Sequence, residues 1–333
     1  MLVIGHKDLA TLLNSLSPYD VEQAKKSLLK SLQEVTQYPE TVPPRTVIEA
    51  DYATHLFMPV VGKEIVEATG SPQIGFKALA GSREGFKGLT TIMDKSGEVQ
   101  GIINAFELTA FRTALATSLS WDVYKKTSLY AAHGDKPLNM ACFGAGPQAY
   151  WHVKLAVMQF DIDTVFIVNR TAHRADELIQ RLKREHPNAK FQRCDSPDTD
   201  VPTCSLIVGC TPSTTPVIHH QWIQKNAYIG LIGSYKPHMC EVDSQIVKSV
   251  KKILVDGADP VFIEAGEIIQ NKIPKSELVE VADESEVEKS LAEFDDASLF
   301  LWKCVGSSMM DVCVGGQVLQ FAKKAGCGKE VDF

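Results

Sequence analysis

The stretch Met140-Ala-Cys-Phe-Gly-Ala-Gly-Pro-Gln-Ala149 decides how this chain is read. Asn139–Phe143 has the character of a buried strand, and Gly144-x-Gly146-x-x-Ala149 follows at the spacing of a tight strand-to-helix turn. Glycines at those places let the backbone turn sharply and bring N–H groups against a pyrophosphate at the helix N-terminus. Gly144, Ala145, Gly146, Pro147 and Gln148 are therefore candidate cofactor contacts. The next apolar run, Thr164-Val-Phe-Ile-Val168, ends in Asn169-Arg170-Thr171. In a dinucleotide fold that strand end meets the adenosine ribose, where an Asp or Glu bonds a free 2′-hydroxyl. Asn169 and Arg170 stand there instead, and Arg174 follows one helical turn on. Two guanidiniums and a missing acid suit a 2′-phosphate, so NADPH is expected in preference to NADH.

Outward from this motif, apolar strands alternate with amphipathic helices from about residue 137. Thr164–Val168, Lys190–Arg193, Leu206–Val208, Tyr228–Ile232 and Lys252–Val255 read as strands, and the alternation predicts a doubly wound parallel sheet of the α/β class. The first part of the chain has another texture. Val21–Leu32 is helical in period, Pro39, Pro43 and Pro44 break the pattern, and four short strand-like runs follow: Thr54–Met58, Gln73–Leu79, Thr90–Met93 and Val99–Ile103. A helix over Ala105–Tyr124 closes this α+β portion, whose sheet is expected to be largely antiparallel. A last helix is expected over about Met310–Ala325. The acidic stretch Glu277–Asp296 reads as a solvated loop and helix face, and no metal site is expected.

With 333 residues the chain is long enough for two cores. A net charge of −7 and no Lys/Arg-rich run argue against a nucleic-acid surface. No apolar run approaches a membrane span, and the N-terminus lacks the pattern of a signal peptide. Eight cysteines without a Cys-x-x-Cys pair read as small buried hydrophobes in a reducing compartment, so a cytoplasmic location is expected.

A second constellation lies in the first part: Pro43-Pro-Arg45, Phe57-Met-Pro59, Gly75-Phe-Lys77 and Leu108-Thr-Ala-Phe-Arg-Thr113. Lys77 stands among mostly apolar neighbours, and Arg112 shares a helix with Phe111 and Leu115, which also admits an ion pair inside the fold. Together with Cys210-Thr-Pro-Ser, Ile232-Gly-Ser-Tyr-Lys-Pro237 and Lys303-Cys-Val-Gly306, this order of motifs resembles the ornithine cyclodeaminase/mu-crystallin family over nearly the whole chain. The resemblance implies a Rossmann domain over residues 126–307 and a substrate and dimerisation domain over 1–125 and 308–333, working as a homodimer.

It further implies that Arg45, Lys77 and Arg112 bind a substrate carboxylate, with Lys77 and Arg112 the catalytic pair. Arg112, Thr91, Cys210, Thr211 and Val305 would contact the cofactor, while Gly306 and Tyr235 would border the substrate. One departure carries weight. Cyclodeaminases of the family have an aspartate in the segment matching 232–237, whereas here Tyr235 stands there, with a phenol too weakly acidic to serve as a base at neutral pH. The expected activity is an NADPH-dependent reduction of a C=N bond in a small imino acid, with pyrroline- or piperideine-2-carboxylate as leading candidates. The resemblance also admits an ornithine cyclodeaminase, an amino-acid or opine-type dehydrogenase, and a non-catalytic protein that binds NADPH and a small molecule.

Overall fold

The structure is a computed structural model that describes residues 1–66, 71–82 and 85–332. It divides into two compact units, one of residues 1–115 and 306–333 and the other of residues 116–305.

The first unit begins with β1 (Leu2–Ile4), α1 (His6–Ser15) and α2 (Pro18–Gln37), then β2 (Thr46–Ala50), β3 (Ala53–Val66), β4 (Ser71–Ser82), β5 (Gly85–Met93) and β6 (Val99–Asn104), and enters α3 (Ala105–Tyr124). Ser17 starts α2: its Oγ accepts from Asp20 N at 3.2 Å, Asp20 Oδ2 accepts from Ser17 N at 3.1 Å, and Pro18 opens the first turn. The division between units falls within α3, after Leu115. Residues Phe111–Trp121 of this helix are buried on every side, as its continuous apolar character requires.

The second unit continues with α4 (Ser128–Ala131), β7 (Leu138–Phe143), α5 (Pro147–Gln159), β8 (Ile162–Val168), α6 (Ala172–Glu185), β9 (Lys190–Arg193), α7 (Pro197–Asp200), β10 (Leu206–Gly209), β11 (Ala227–Leu231), α8 (Ser244–Lys248), β12 (Ile253–Val255), α9 (Ala258–Glu264), α10 (Gly266–Gln270), β13 (Leu278–Glu280), α11 (Glu284–Asp295) and β14 (Leu299–Lys303). Its strands lie in the order β13-β12-β14-β11-β10-β7-β8-β9, and every pairing is parallel. All residues of β10, β11, β12 and β14 are buried, the pattern of parallel strands covered on both faces. The chain runs outward one way through β7, β8 and β9 and the other way from β10, so the order reverses between β7 and β10. Ligands of open α/β sheets bind outside the carboxyl ends of the strands at such a point.

The chain then returns to the first unit with α12 (Ser308–Ala325) and β15 (Lys329–Glu330). The first unit's sheet has the order β15-β1-β6-β5-β4-β3-β2, antiparallel except for the parallel pair β1–β6. On β4, Gln73, Gly75, Lys77 and Leu79 alternate inward. α12 lies on this face, and Gly101 makes room for it, since a Cβ there would fall 2.5 Å from Leu319 Cδ2. A Cβ at Gly75 would fall 2.0 Å from Thr91 O, so that glycine serves the close approach of β5. The opposite face leaves Phe57, Val61 and Phe76 exposed.

The six strands read from sequence in the second unit are all present, but β13 and β14 go beyond them. β13 is three residues long and sits in the acidic stretch, of which α11 buries Val287, Ser290 and Phe294. All eight cysteines are free thiols. Among the described residues no helix is long and apolar enough to cross a membrane.

Candidate active site

In the first unit, one carboxylate organises the basic residues. Asp311, in the first turn of α12, is fully buried, and its Oδ1 accepts from Lys77 Nζ at 2.8 Å and from Arg112 Nε at 3.2 Å. Lys77 reaches it because position 77 falls on the inward face of β4, directly beneath α12. Arg112 reaches it from α3. Lys77 Nζ also donates to Thr109 Oγ1 at 2.8 Å, and that hydroxyl donates to Ala105 O within α3. Three hydrogen-bonding groups thus hold Lys77, Asp311 and Thr109 in a fixed relation.

The remaining valences are informative. Arg112 is 5% exposed, yet among the described residues its Nη atoms meet no oxygen; Nη1 has only a 3.7 Å contact with Met310 Sδ. Among the described residues Asp311 Oδ2 is buried with no partner, and so is Thr90 Oγ1, which stands opposite Lys77 across β4 and β5. Gly306, at φ +82°, keeps clear of the guanidinium: a Cβ there would lie 2.4 Å from Arg112 Nη1. Half-buried Arg45 donates from Nη2 to Gly306 O at 3.2 Å, which brings the third cation to the same glycine. Lys77 and Arg112 bring two positive charges to the single carboxylate of Asp311.

Burial is the main cause of a lowered Lys77 pKa, down to about 8. Asp311 holds the ammonium up, while Arg112 and Arg45 push it further down. A lysine in that state is an acid of moderate strength near neutral pH.

The second unit holds the nucleotide motif. Gly144 ends β7 at φ +119°, a conformation open to glycine, and a Cβ there would lie 3.0 Å from Cys210 O. Gly144 N donates to Val168 O at 2.8 Å and Cys210 N to Phe143 O at 2.8 Å, so the ends of β7, β8 and β10 are tied together. Gly146 precedes α5, with Pro147 as the first helical residue; a Cβ on Gly146 would meet nothing within 4 Å. The backbone therefore faces open space where a helix N-terminus can receive phosphate, and these residues fit a dinucleotide. Ala145 and Gln148 lie in the same turn, and Gln148 Oε1 is buried without a partner among the described residues.

At the end of β8, Asn169 Nδ2 donates to Thr171 O at 2.9 Å, and Thr171 caps α6. Arg170 and Arg174 are exposed at this helix start, and among the described residues neither has an ion-pair partner. No acid intervenes between Asn169 and Arg174.

The remaining sequence candidates fall as follows. Thr91 lies opposite Phe76, on the other face of the sheet from Lys77. Cys210 and Thr211 follow β10; Thr211 is held by Glu241, whose Oε1 accepts from its N at 2.7 Å and its Oγ1 at 2.9 Å. Burial pushes the Cys210 thiol well above its ordinary pKa, which disfavours its thiolate. Val305 N donates to Asp256 Oδ1 at 3.2 Å. Tyr235 is half-buried, and burial raises its pKa further. Sequence reasoning missed Asp311, Thr109 and Thr90. Asp311 had one signal: a lone acid inside the apolar helix Met309–Leu319.

Residues 88–325 match the ornithine cyclodeaminase/mu-crystallin family. The chain is 26% identical over 295 residues to a Δ1-pyrroline-2-carboxylate reductase of Bacillus cereus, covering 84% of this chain and 85% of the relative. It is 27% identical over 174 residues to the ketimine reductase mu-crystallin of Macropus fuliginosus, covering 52% and 51% of the two chains. Its fold is similar to that of the Thermococcus litoralis Δ1-pyrroline-2-carboxylate reductase in complex with NADH and L-proline, with a TM-score of 0.81, 20% identity, and 99% and 100% of the two chains covered. With a match across most of its length and the same motifs in order, the chain belongs to the ornithine cyclodeaminase/mu-crystallin family.

Proposed function

We propose that the chain is an NADPH-dependent reductase of a C=N bond in a small carboxylate-bearing substrate, with pyrroline- or piperideine-2-carboxylate as the leading candidates. The observation that carries this reading is the buried Arg112, whose Nη donors have no oxygen partner among the described residues and lie in a cluster with excess positive charge. A buried guanidinium in that state calls for a carboxylate, which it grips with two parallel bonds. Arg45 is tied to the same Gly306 through its Nη2.

Reduction adds a hydride to the imine carbon and a proton to the nitrogen. Bound NADPH would supply the hydride. Lys77, with its pKa near 8, supplies the proton, and Asp311 with Thr109 keeps its Nζ aimed and charged. Tyr235 has no carboxylate beside it in its own segment, and the nearest one in sequence, Glu241, is already filled by backbone donors. This disfavours cyclodeamination.

The test is NADPH oxidation against a panel of cyclic imines and of keto acid/amine pairs. Stoichiometric oxidation with a cyclic imine is expected. Turnover confined to keto acid/amine pairs, or no oxidation at all, overturns the reading; the second result would favour a binding protein.

The cofactor preference rests on Arg170 and Arg174. Losing a guanidinium–phosphate bond at an exposed site is expected to weaken NADPH about tenfold per arginine, so Arg170→Ala with Arg174→Ala should bring NADPH and NADH close to parity. Equal efficiency of the two cofactors with the unmodified protein would sink the preference.

The exposed apolar face of Phe57, Val61 and Phe76 supports a homodimer built on the first unit's sheet. Val61→Glu is expected to shift the protein from dimer to monomer in sedimentation. An unchanged dimer would place the interface elsewhere. Eight free thiols, most of them buried, suit a reducing compartment such as the cytoplasm.

A further inference from the structure

Glu241 is fully buried in the second unit, in the segment between β11 and α8. Its Oε1 accepts from Thr211 N at 2.7 Å and from Thr211 Oγ1 at 2.9 Å. Its Oε2 accepts from Gly233 N at 2.6 Å. Thr211 follows β10 and Gly233 follows β11, so one carboxylate bridges the loops beyond the carboxyl ends of two adjacent strands. Two glycines make the arrangement possible. A Cβ at Gly209 would lie 2.7 Å from Glu241 Oε1, and one at Gly233 would lie 2.0 Å from Thr211 O. The two loops therefore touch backbone to backbone with the carboxylate beneath them.

Glu241 is itself held. Its N donates to Glu267 Oε1 at 2.9 Å, and Glu267 Oε2 lies 3.5 Å from Lys303 Nζ, which donates to Ser234 O at 2.5 Å. The strand order reverses between β7 and β10, and a dinucleotide lies across that reversal, half on each side. Gly144–Gln148 and the end of β8 belong to the adenosine half, so the loops after β10 and β11 fall to the nicotinamide half.

We propose that Glu241 is a positioning residue that fixes the Thr211 and Gly233 loops for the nicotinamide half of the cofactor. The inference rests on the dinucleotide reading of this unit. Each oxygen accepts from a backbone N–H, Thr211 N on Oε1 and Gly233 N on Oε2, and the ionised form accepts at full strength from both. Burial raises the Glu241 pKa to about 7; Lys303 counters this and Glu267 adds to it, and Cys210 and Cys240 are the other titratable groups that feel its charge. Protonation turns one oxygen into a hydroxyl, a weaker acceptor, and so loosens the loop N–H that it holds.

The sign differs between stability and binding. Because the folded-state pKa lies above that of the unfolded chain, Glu241 contributes stability below about pH 4.5 that is lost as the pH rises through about 7. Positioning of the nicotinamide half changes the other way, improving as the pH rises through about 7.

The experiment compares binding of NADPH with binding of adenosine 2′,5′-bisphosphate, which lacks the nicotinamide half. Glu241→Gln sets an amide donor against the loop donors. It is expected to weaken NADPH about tenfold and leave the bisphosphate unchanged. In the unmodified protein, the ratio of the affinity for NADPH to that for 2′-phospho-ADP-ribose, which shares its 2′-phosphate and pyrophosphate and lacks the nicotinamide, should fall by a similar factor between pH 8 and pH 6, a readout that needs no variant and in which titration of the shared phosphates cancels. Equal loss for both ligands, or no change in the ratio with pH or in the variant, overturns the positioning role. Failure of the unmodified protein to bind either ligand overturns the dinucleotide reading instead.

Discussion

Lys77→Met is expected to lower kcat for imine reduction by about 10²–10⁴-fold, the usual contribution of a positioned general acid. NADPH binding should be unaffected. Methionine keeps the unbranched stem in the space between β4 and α12, so the loss reports the missing ammonium. A fall confined to KM would instead assign Lys77 to the substrate carboxylate, and a near-normal rate would remove it from the site.

The pH dependence follows from the same group. Lys77 must be protonated to give its proton, so kcat/KM is expected to be level below about pH 8 and to fall roughly tenfold per unit above it. Stability moves oppositely. The folded-state pKa lies below the unfolded value of 10.5, so the charged lysine costs the fold about 3 kcal/mol below pH 8, and that cost is relieved as the pH rises from about 8 to 10.5. An unliganded protein that gains stability over the window in which it loses activity would support this assignment. A pH profile unchanged in Lys77→Met would refute it.

Asp311→Asn is expected to cost more in stability than any exposed substitution. The side chain keeps its shape but loses its charge, leaving Lys77 and Arg112 buried with no anion between them. Removing one partner of a buried charge network costs about 3–5 kcal/mol. Asparagine still offers an oxygen to one of the two donors, so the lower end of that range is expected by denaturant melting. Loss of the anion also drives the Lys77 pKa further down, which should move the alkaline limb of the activity profile to lower pH. Turnover at neutral pH should fall about a hundredfold. A variant as stable as the parent, with its alkaline limb unmoved, would show that Asp311 does not set the charge of Lys77.

Legibility in the sequence followed the range of the interactions. The turn Gly144–Gln148 and the strand end at Asn169–Thr171 were readable because backbone conformation and short spacing define them. Helix α3 was readable to its ends, since twenty consecutive residues of apolar pattern leave little ambiguity. β13 was not, because three residues among acids carry no periodicity. Thr91 was singled out in the pair Thr90-Thr91, yet the strand's alternation puts Thr90, and not Thr91, on the Lys77 side.

The network around Asp311 lay beyond reach of any local pattern. Its bonds to Lys77 and Arg112 join positions 234 and 199 residues apart. In sequence, Arg112 was open to two readings, ion pair or carboxylate ligand. The structure shows the ion pair, with Nε spent on Asp311, while the Nη atoms meet no oxygen among the described residues, which is compatible with the carboxylate reading.

By itself, the sequence determined the family, the parallel sheet and the glycine turn that opens a helix N-terminus, because these depend on residues close together in the chain. Tertiary structure alone decided which carboxylate sits between the two inner cations, which of Arg112's donors remain available, and how far burial lowers the Lys77 pKa. Charge state in a buried site depends on distance and desolvation in three dimensions, and chain order specifies neither.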